Sequence, residues 1–510
     1  MTTAMGPDSP TVTDETTPQL DDLGAKQFDD LGGKQPVDLG DKQPDHTQTA
    51  PGRRKPQRKR RGTRPESLLS GPYRTPTLGI VLTVTLLAFE AMAVATVMPV
   101  TARDLNGLSL YAWGFSGTLI ASVLATVLAG GWIDRSGPAK PLLIGLAVFV
   151  AGLAIAGAAP TMAIFVVGRV VQGLGMGVAM VASYVLIARV YPESLRPRVF
   201  AALAAAWVLP SLIGPAVGGV VAEHIGWRWV FLGLIPLVIP AAAMLVPAFR
   251  NLKPVEHAEH GPAGRAGATR YIAAVAVAAG AGLLLYGLDN PGLALIPAAA
   301  AGLAGLAYGL PKLFPAGTLR MRRGLPSVVV ARGLLAGAFF GTDVFIPLAL
   351  TSLHGFSATQ AGIVLTVAAL GWSAASQIQG RSRRPQTLFV LLGAVFTTVG
   401  VVAVTVTLQL SGWWAAPAWA IGGFGMGFAI SALSVLMLDQ SAEEEQGVNS
   451  SALQISDTLG SSVVVGLAGA LVTGFGTDHL EQGLVVAGLL FTAIAALAVV
   501  SAFRLEAEKA

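Results

Sequence analysis

Fourteen stretches of about 20 mostly apolar residues run through this chain, and no other feature restricts its fold so severely. They start near Thr77, Leu110, Pro141, Met162, Val199, Trp229, Tyr271, Gly292, Leu325, Ala358, Gln386, Gly412, Val448 and Gln482. As a helix, about 20 such residues match the roughly 30 Å of a bilayer's hydrocarbon. The expected fold class is an all-α polytopic membrane protein. Only 12% of the residues are charged, where a soluble domain carries about a quarter. The seventh and eighth stretches are short and rich in Ala and Gly. If neither crosses, fourteen spans become twelve and every other span keeps its direction.

The placement of charge sets the expected sidedness. With the N-terminal tail inside, 30 of the 34 Lys and Arg fall on the tail's side, only Arg103 and Arg228 fall opposite, and Arg169 and Arg332 lie within spans. Such a bias predicts a cell-membrane protein with both termini in the cytoplasm. Residues 1–75 read as a disordered cytoplasmic tail. They carry three octads, "DDLGAKQF", "DDLGGKQP" and "VDLGDKQP", whose leucines fall out of phase with a helix. An inert tail or a docking motif both fit it, and no protein partner is identified. The tail ends in "RRKPQRKRRGTR", Arg53–Arg64. Beside a membrane this run favours anionic lipid over nucleic acid. No cleavable signal peptide is expected, since the first apolar run starts only near Thr77.

An internal repeat divides the remainder. "GLGMGVAM", Gly173–Met180, returns as "GFGMGFAI", Gly423–Ile430, each in the fourth of six spans. "VMP" ending at Pro99 matches "FIP" ending at Pro347; 35 residues beyond each proline lie Asp134 and Ser382. Residues 76–250 and 325–510 are therefore expected to form two related six-helix bundles, with two helices and their linkers inserted at 251–324. Parallel repeats of this kind put a substrate site at the midplane between the halves. Helix packing accounts for the repeated glycines better than nucleotide binding does, because no strand precedes them. Arg169 aligns with Trp419, and Glu90 aligns near Ala338. Both charges occur in one half only, so the architecture does not require them.

Three local patterns occur in order on the first half: "GGWIDRSGPAK" between spans two and three, "GRVVQGLGMG" in the fourth and "PSLIGPAVGG" in the fifth. Together they resemble the major facilitator superfamily, in its fourteen-span drug:proton antiporter branch, over roughly residues 77–504. The resemblance implies that Asp134 and Arg135, with Gly130 and Gly137, latch the cytoplasmic side; Pro138 and Ala139 replace the family's basic pair. Turn chemistry alone also explains Asp and Gly at this position. The resemblance implies proton coupling for Arg169, flanked by Gln172 and Gly173, whereas an arginine snorkelling to the interface is the structural alternative. It implies an exporter's kinked fifth span at Pro210, Gly214, Pro215, Gly218 and Gly219, where proline removes a hydrogen bond and glycine admits a neighbour.

Glu90 is the one charged residue of "LLAFEAMAVATVMP", Leu86–Pro99, and no cation is near it in the sequence. A charge at bilayer depth costs about 2.5–3.5 kcal/mol on insertion scales. The branch commonly carries an acid in its first span, and Glu90 resembles that acid. It is expected to alternate between a proton and a cationic or amphipathic substrate, because burial disfavours the charged form of a carboxyl group. A glutamate held structurally, for instance by Arg169, is the alternative. Asp343 and Asp457 are further candidates, each as coupling residue, substrate anion or helix-packing group; Arg332 is expected to snorkel.

The function expected is a proton-coupled secondary exporter of hydrophobic or cationic small molecules. An exporter dedicated to one endogenous lipid or metabolite, or a sensor or scaffold without transport, are the alternatives. Export would draw on the proton gradient with no cofactor: no phosphate loop with its lysine is present, and "HAEH", His257–His260, reads as a solvated turn. The chain has no cysteine, which excludes disulfides and thiol chemistry. No clustered nucleophile, base and oxyanion donor suggests an enzyme.

Overall fold

A computed structural model describes residues 68, 71–192, 194–250, 263–290, 292, 295–442 and 445–506. The octad repeat, the basic run Arg53–Arg64 and His257–His260 lie outside these residues. Every regular element among the described residues is a helix. The first half contains α1 (Gly71–Asp104), α2 (Trp113–Ser136), α3 (Ala139–Gly157), α4 (Met162–Val190), α5 (Arg196–Val221), α6 (Arg228–Leu232) and α7 (Ile235–Arg250). Then come α8 (Ala263–Asp289) and α9 (Leu295–Leu313). The second half contains α10 (Leu325–Leu353), α11 (Ala358–Arg381), α12 (Gln386–Leu410), α13 (Ala415–Asp439), α14 (Gln446–Gly474) and α15 (Leu480–Ala502).

Among the described residues, 13 helical segments are long and apolar enough to cross a membrane. They account for every expected stretch except the eighth. That one forms α9, 19 residues long and less apolar toward its end at Pro311 and Lys312. It runs back along α8: Gly287 faces Leu295 and Ala298, Gly302 faces Gly280 and Leu284, and Gly309 faces Ala273. A methyl group on Gly302 would lie 2.6 Å from the Leu284 nitrogen, so the missing side chains bring the two backbones together. The sixth stretch, expected to be one helix, is divided. Gly233 and Leu234 separate α6 from α7, and Pro236, which has no N–H to donate, stands just inside α7.

The glycine repeat builds the same joint twice. Gly173 and Gly177 of α4 lie against Thr118 and Ser122 of α2, while Gly175 lies against Gly145 and Phe149 of α3. Gly423 and Gly427 of α13 lie against Ala368 and Trp372 of α11, and Gly425 against Gly393 and Thr397 of α12. The pairing of α1 with α5 recurs as α10 with α14, and that of α1 with α7 as α10 with α15. Between the halves, α5 packs on α11 and, in the related position, α14 packs on α2. The inserted α8 lies beside the α2–α14 contact, with Tyr271 against Gly131, Leu285 against Gly466, and the Trp113 indole N–H donating to Asp289.

Three polar contacts join the halves toward the end of the bundle where α1 ends and α2 begins. The Tyr111 hydroxyl donates to the Val344 carbonyl at 2.8 Å. Ser116 and Ser462 each donate to the other's carbonyl, at 2.9 and 3.2 Å. The Thr359 hydroxyl donates to the Glu223 carboxylate at 2.6 Å.

Candidate functional site

Glu90 is 1% exposed, on the face of α1 turned toward α4. Its partner comes from 79 residues downstream: the Arg169 guanidinium of α4 donates to Oε1 of Glu90. Nη1 of Arg169 also donates to the Gln172 side-chain oxygen at 3.2 Å, and Nε donates to the Gly114 carbonyl at 2.9 Å. The acid without a neighbouring cation in sequence therefore has one in space. Arg169 does not snorkel; it is 3% exposed. The other carboxylate oxygen, Oε2, and the Gln172 amide nitrogen are buried without a hydrogen-bond partner in the protein. A buried polar atom left so costs about 1–3 kcal/mol.

The fifth-span motif packs on the same stretch of α1, against Phe89, Met92 and Ala93. Pro210, Gly214, Pro215, Gly218 and Gly219 are all buried. Methyl groups on Gly214 and Gly218 would lie 3.1 Å from the Met92 Cβ and 2.9 Å from the Ala93 Cβ. These neighbours are two and three residues from Glu90. Gly219 faces the other half, where its methyl would lie 2.5 Å from the Ala358 carbonyl, and one on Gly362 would lie 2.3 Å from the Pro215 carbonyl. Helix α5 is thus held between the helix that carries Glu90 and the opposite half.

In the second half, Asp343 of α10 accepts a 2.8 Å hydrogen bond from the indole N–H of Trp419 on α13. Trp419 is the residue aligned with Arg169. In both halves, then, the first helix offers a carboxylate to a donor at the same position of the fourth. Asp457 of α14 is held by Arg332 of α10, through Nε to Oδ1 at 2.9 Å and Nη2 to Oδ2 at 3.4 Å, and Arg332 also donates to the Ile430 carbonyl at 3.2 Å. The expectation that Arg332 snorkels is therefore corrected. Gly333 lies against Ser456, and Gly460 against the Gly333 carbonyl, so α10 and α14 approach closely enough for the neighbouring charges to meet.

The motif between α2 and α3 is simpler. Gly137 caps α2 with φ 74°, its N–H donating to the Ile133 carbonyl at 2.8 Å, as a glycine in this conformation does. Asp134 and Arg135 are exposed and take part in no ion pair found among the described residues. Gly130 faces open space, while a methyl on Gly173 would lie 2.1 Å from the Thr118 carbonyl. Sequence reasoning missed Trp419 as the hydrogen-bond partner of Asp343. Its alignment with Arg169 was the available signal, read there only as a lost charge.

One consequence concerns the second ion pair, whose side chains are 12% and 16% exposed. Arg332→Ala is expected to lower the melting temperature by leaving Asp457 uncompensated, a loss of up to about 3–5 kcal/mol for a buried pair. Arg332→Ala combined with Asp457→Asn is expected to recover most of it. Thermal unfolding of the purified variants checks this, and a double variant no more stable than Arg332→Ala would contradict it.

Comparison with known proteins adds the family context. The family model described as Major Facilitator Superfamily matches residues 80–465. A Mycobacterium tuberculosis protein named as a probable multidrug-efflux transporter is 29% identical over 456 residues, covering 82% of this chain and 92% of its own. Multidrug resistance protein 3 of Bacillus subtilis is 24% identical over 422 residues, covering 79% of this chain and 80% of its own. Among solved structures, that of a D-xylose–proton symporter superposes with a TM-score of 0.60 at 15% identity, covering 86% of this chain and 99% of that one. At that identity the likeness speaks to the fold.

Proposed function

The chain belongs to the Major Facilitator Superfamily of membrane transporters, and on that footing we propose that it is a proton-coupled exporter of hydrophobic or cationic small molecules. It works by antiport from the cell membrane with both termini in the cytoplasm. The observation that carries this reading is the buried Glu90–Arg169–Gln172 triad, whose acid stands on the helix, α1, that packs on α5. An ion pair so placed has two stable arrangements, closed as a pair or opened by a proton on Glu90. Because α5 touches both α1 and α11, a change at Glu90 bears on a contact between the halves. The names of the efflux relatives support the direction and substrate class.

Under this orientation Tyr111, Ser116, Ser462, Glu223 and Thr359 join the halves toward the extracellular end. Proton entry supplies about 2.3 kcal/mol for each 100 mV. Purified protein in proteoliposomes with an imposed pH gradient tests the proposal. A cationic dye is expected to move against its gradient as protons run down theirs, and an uncoupler is expected to stop it. Dye movement indifferent to both would rule the coupling out.

A further inference from the structure

We propose that the loop between α9 and α10, together with the chain just past α15, forms a clamp for the phosphate-bearing headgroup of an anionic phospholipid. The inference goes beyond the exporter reading and involves no transport step. Arg320, Arg322 and Arg323 lie in that loop and Arg504 lies just past α15, all four exposed. The two segments meet although Met321 and Arg504 are 183 residues apart: the Arg504 guanidinium donates to the Met321 carbonyl at 3.4 Å, and the Gly324 N–H donates to the Arg504 carbonyl at 2.9 Å. Four groups that are always charged are therefore gathered at one place. Glu506 lies two residues beyond Arg504, and Asp439 precedes Gln440, whose side-chain amide donates to the Leu505 carbonyl at 2.9 Å. Neither acid, and none of the four arginines, takes part in an ion pair found among the described residues. Like charges so collected repel one another, and an anion held among them offsets the repulsion. Guanidinium forks match phosphate oxygens in geometry as well as charge.

The loop is held on a fixed path. Gly317, Met321 and Gly324 have φ of 89°, 48° and 84°, and at Met321 the Cβ makes this conformation costly. Non-glycine residues held in it cluster at ligand clamps and active sites. Ser327 of α10, 0% exposed, points its hydroxyl at the Met321 and Arg322 carbonyls, at 3.1 and 2.7 Å, and the Thr318 hydroxyl donates to the Pro315 carbonyl at 2.6 Å. A methyl on Gly317 would lie 2.5 Å from Cδ of Arg322, so the glycine makes room for that side chain. Position selects the source of the phosphate. One apolar span begins at Leu325 and another ends at Ala502, which puts the clamp where the chain leaves the hydrocarbon. Phe503 and Leu319, 68% and 60% exposed, set apolar side chains beside the guanidinium groups. A phospholipid meets both at once, phosphate to arginine and acyl chain to Phe503 and Leu319, whereas a free phosphate ion meets only the charge. Under the orientation proposed above the clamp faces the cytoplasmic leaflet, whose surface is negative.

Photo-labelling of the full chain, purified in detergent, tests the clamp. The probes are a phosphatidylglycerol with a diazirine next to its headgroup and a phosphatidylcholine built the same way, with labelled peptides mapped by mass spectrometry. The phosphatidylglycerol probe is expected to label residues 314–324 and 503–506 about tenfold more than the phosphatidylcholine probe. In Arg320→Gln combined with Arg323→Gln, labelling of both segments is expected to fall by about tenfold or more. Labelling of the separate basic run Arg53–Arg64 is expected to stay within about twofold. Arg504→Gln is expected to lower labelling by about fivefold and carries the test if the double variant is not monodisperse. Equal labelling by the two probes would overturn the clamp and leave only apolar contact at Phe503 and Leu319. So would labelling unchanged in both variants. Displacement of the probe by millimolar inorganic phosphate, but not by chloride at equal ionic strength, would overturn the lipid assignment in favour of a soluble anion. No arm of this experiment measures transport, so its failure is distinct from failure of proton coupling, which the proteoliposome measurement reads.

Discussion

Glu90→Gln is expected to abolish accumulation against a gradient in proteoliposomes. One proton crossing 100 mV sustains about a fiftyfold concentration ratio, and a side chain that cannot exchange a proton sustains none. The substitution also strands Arg169, 3% exposed, without its counter-charge. Removing one partner of a buried pair costs about 3–5 kcal/mol, so a loss of transport in this variant alone would not separate chemistry from folding. Glu90→Gln combined with Arg169→Gln does. Two neutral amides of similar size restore charge balance, and the double variant is expected to unfold at a temperature well above that of Glu90→Gln. It is still expected to show no uphill transport. Recovery of proton-driven accumulation along with stability would mean that the pair only holds α1 to α4.

That pair also marks where reading the sequence stopped. The helices were legible because hydrocarbon thickness imposes a length on each of them, and 13 of the expected stretches form helices long enough. The joint between α2, α3 and α4 was legible as well: "GLGMG" and "GFGMG" announce close packing, and Gly173 and Gly423 lie against backbone of the second helix in each half. Contacts between distant spans were harder. Arg169 lies 79 residues from Glu90 and meets it only because α4 packs near α1, so no local pattern joins them. Arg332 looked free to snorkel because what turns it toward Asp457 is the small-residue contact of Gly333, Ser456 and Gly460 on another helix. The break between α6 and α7 was signalled by Gly233 and Pro236 but hidden by uniformly apolar neighbours. Aligning Arg169 with Trp419 gave the right correspondence and the wrong emphasis: the position kept a donor while losing its charge.

Gly219→Val is expected to open the contact between α5 and α11 and to lower export by about tenfold or more, since packed helices shift between discrete arrangements instead of deforming smoothly. A Cβ at Gly219 would lie 2.5 Å from the Ala358 carbonyl oxygen and 2.7 Å from the Thr359 Cα. Both are backbone atoms, so no rotamer change relieves the clash and one helix must move. The hydrogen bond from Thr359 to Glu223 lies in the same contact and is expected to break with it. Overpacking of this kind costs about 1–3 kcal/mol, which falls here on a joint between halves while the glycine contacts within each half stay intact. The chain has no cysteine, so one introduced thiol reports cleanly. In an Ala358→Cys background, where the native side chain is 5% exposed, a membrane-impermeant maleimide is expected to label Gly219→Val from outside faster than the parent. Equal labelling together with undiminished export would show that this contact neither seals the extracellular end nor transmits a change from Glu90.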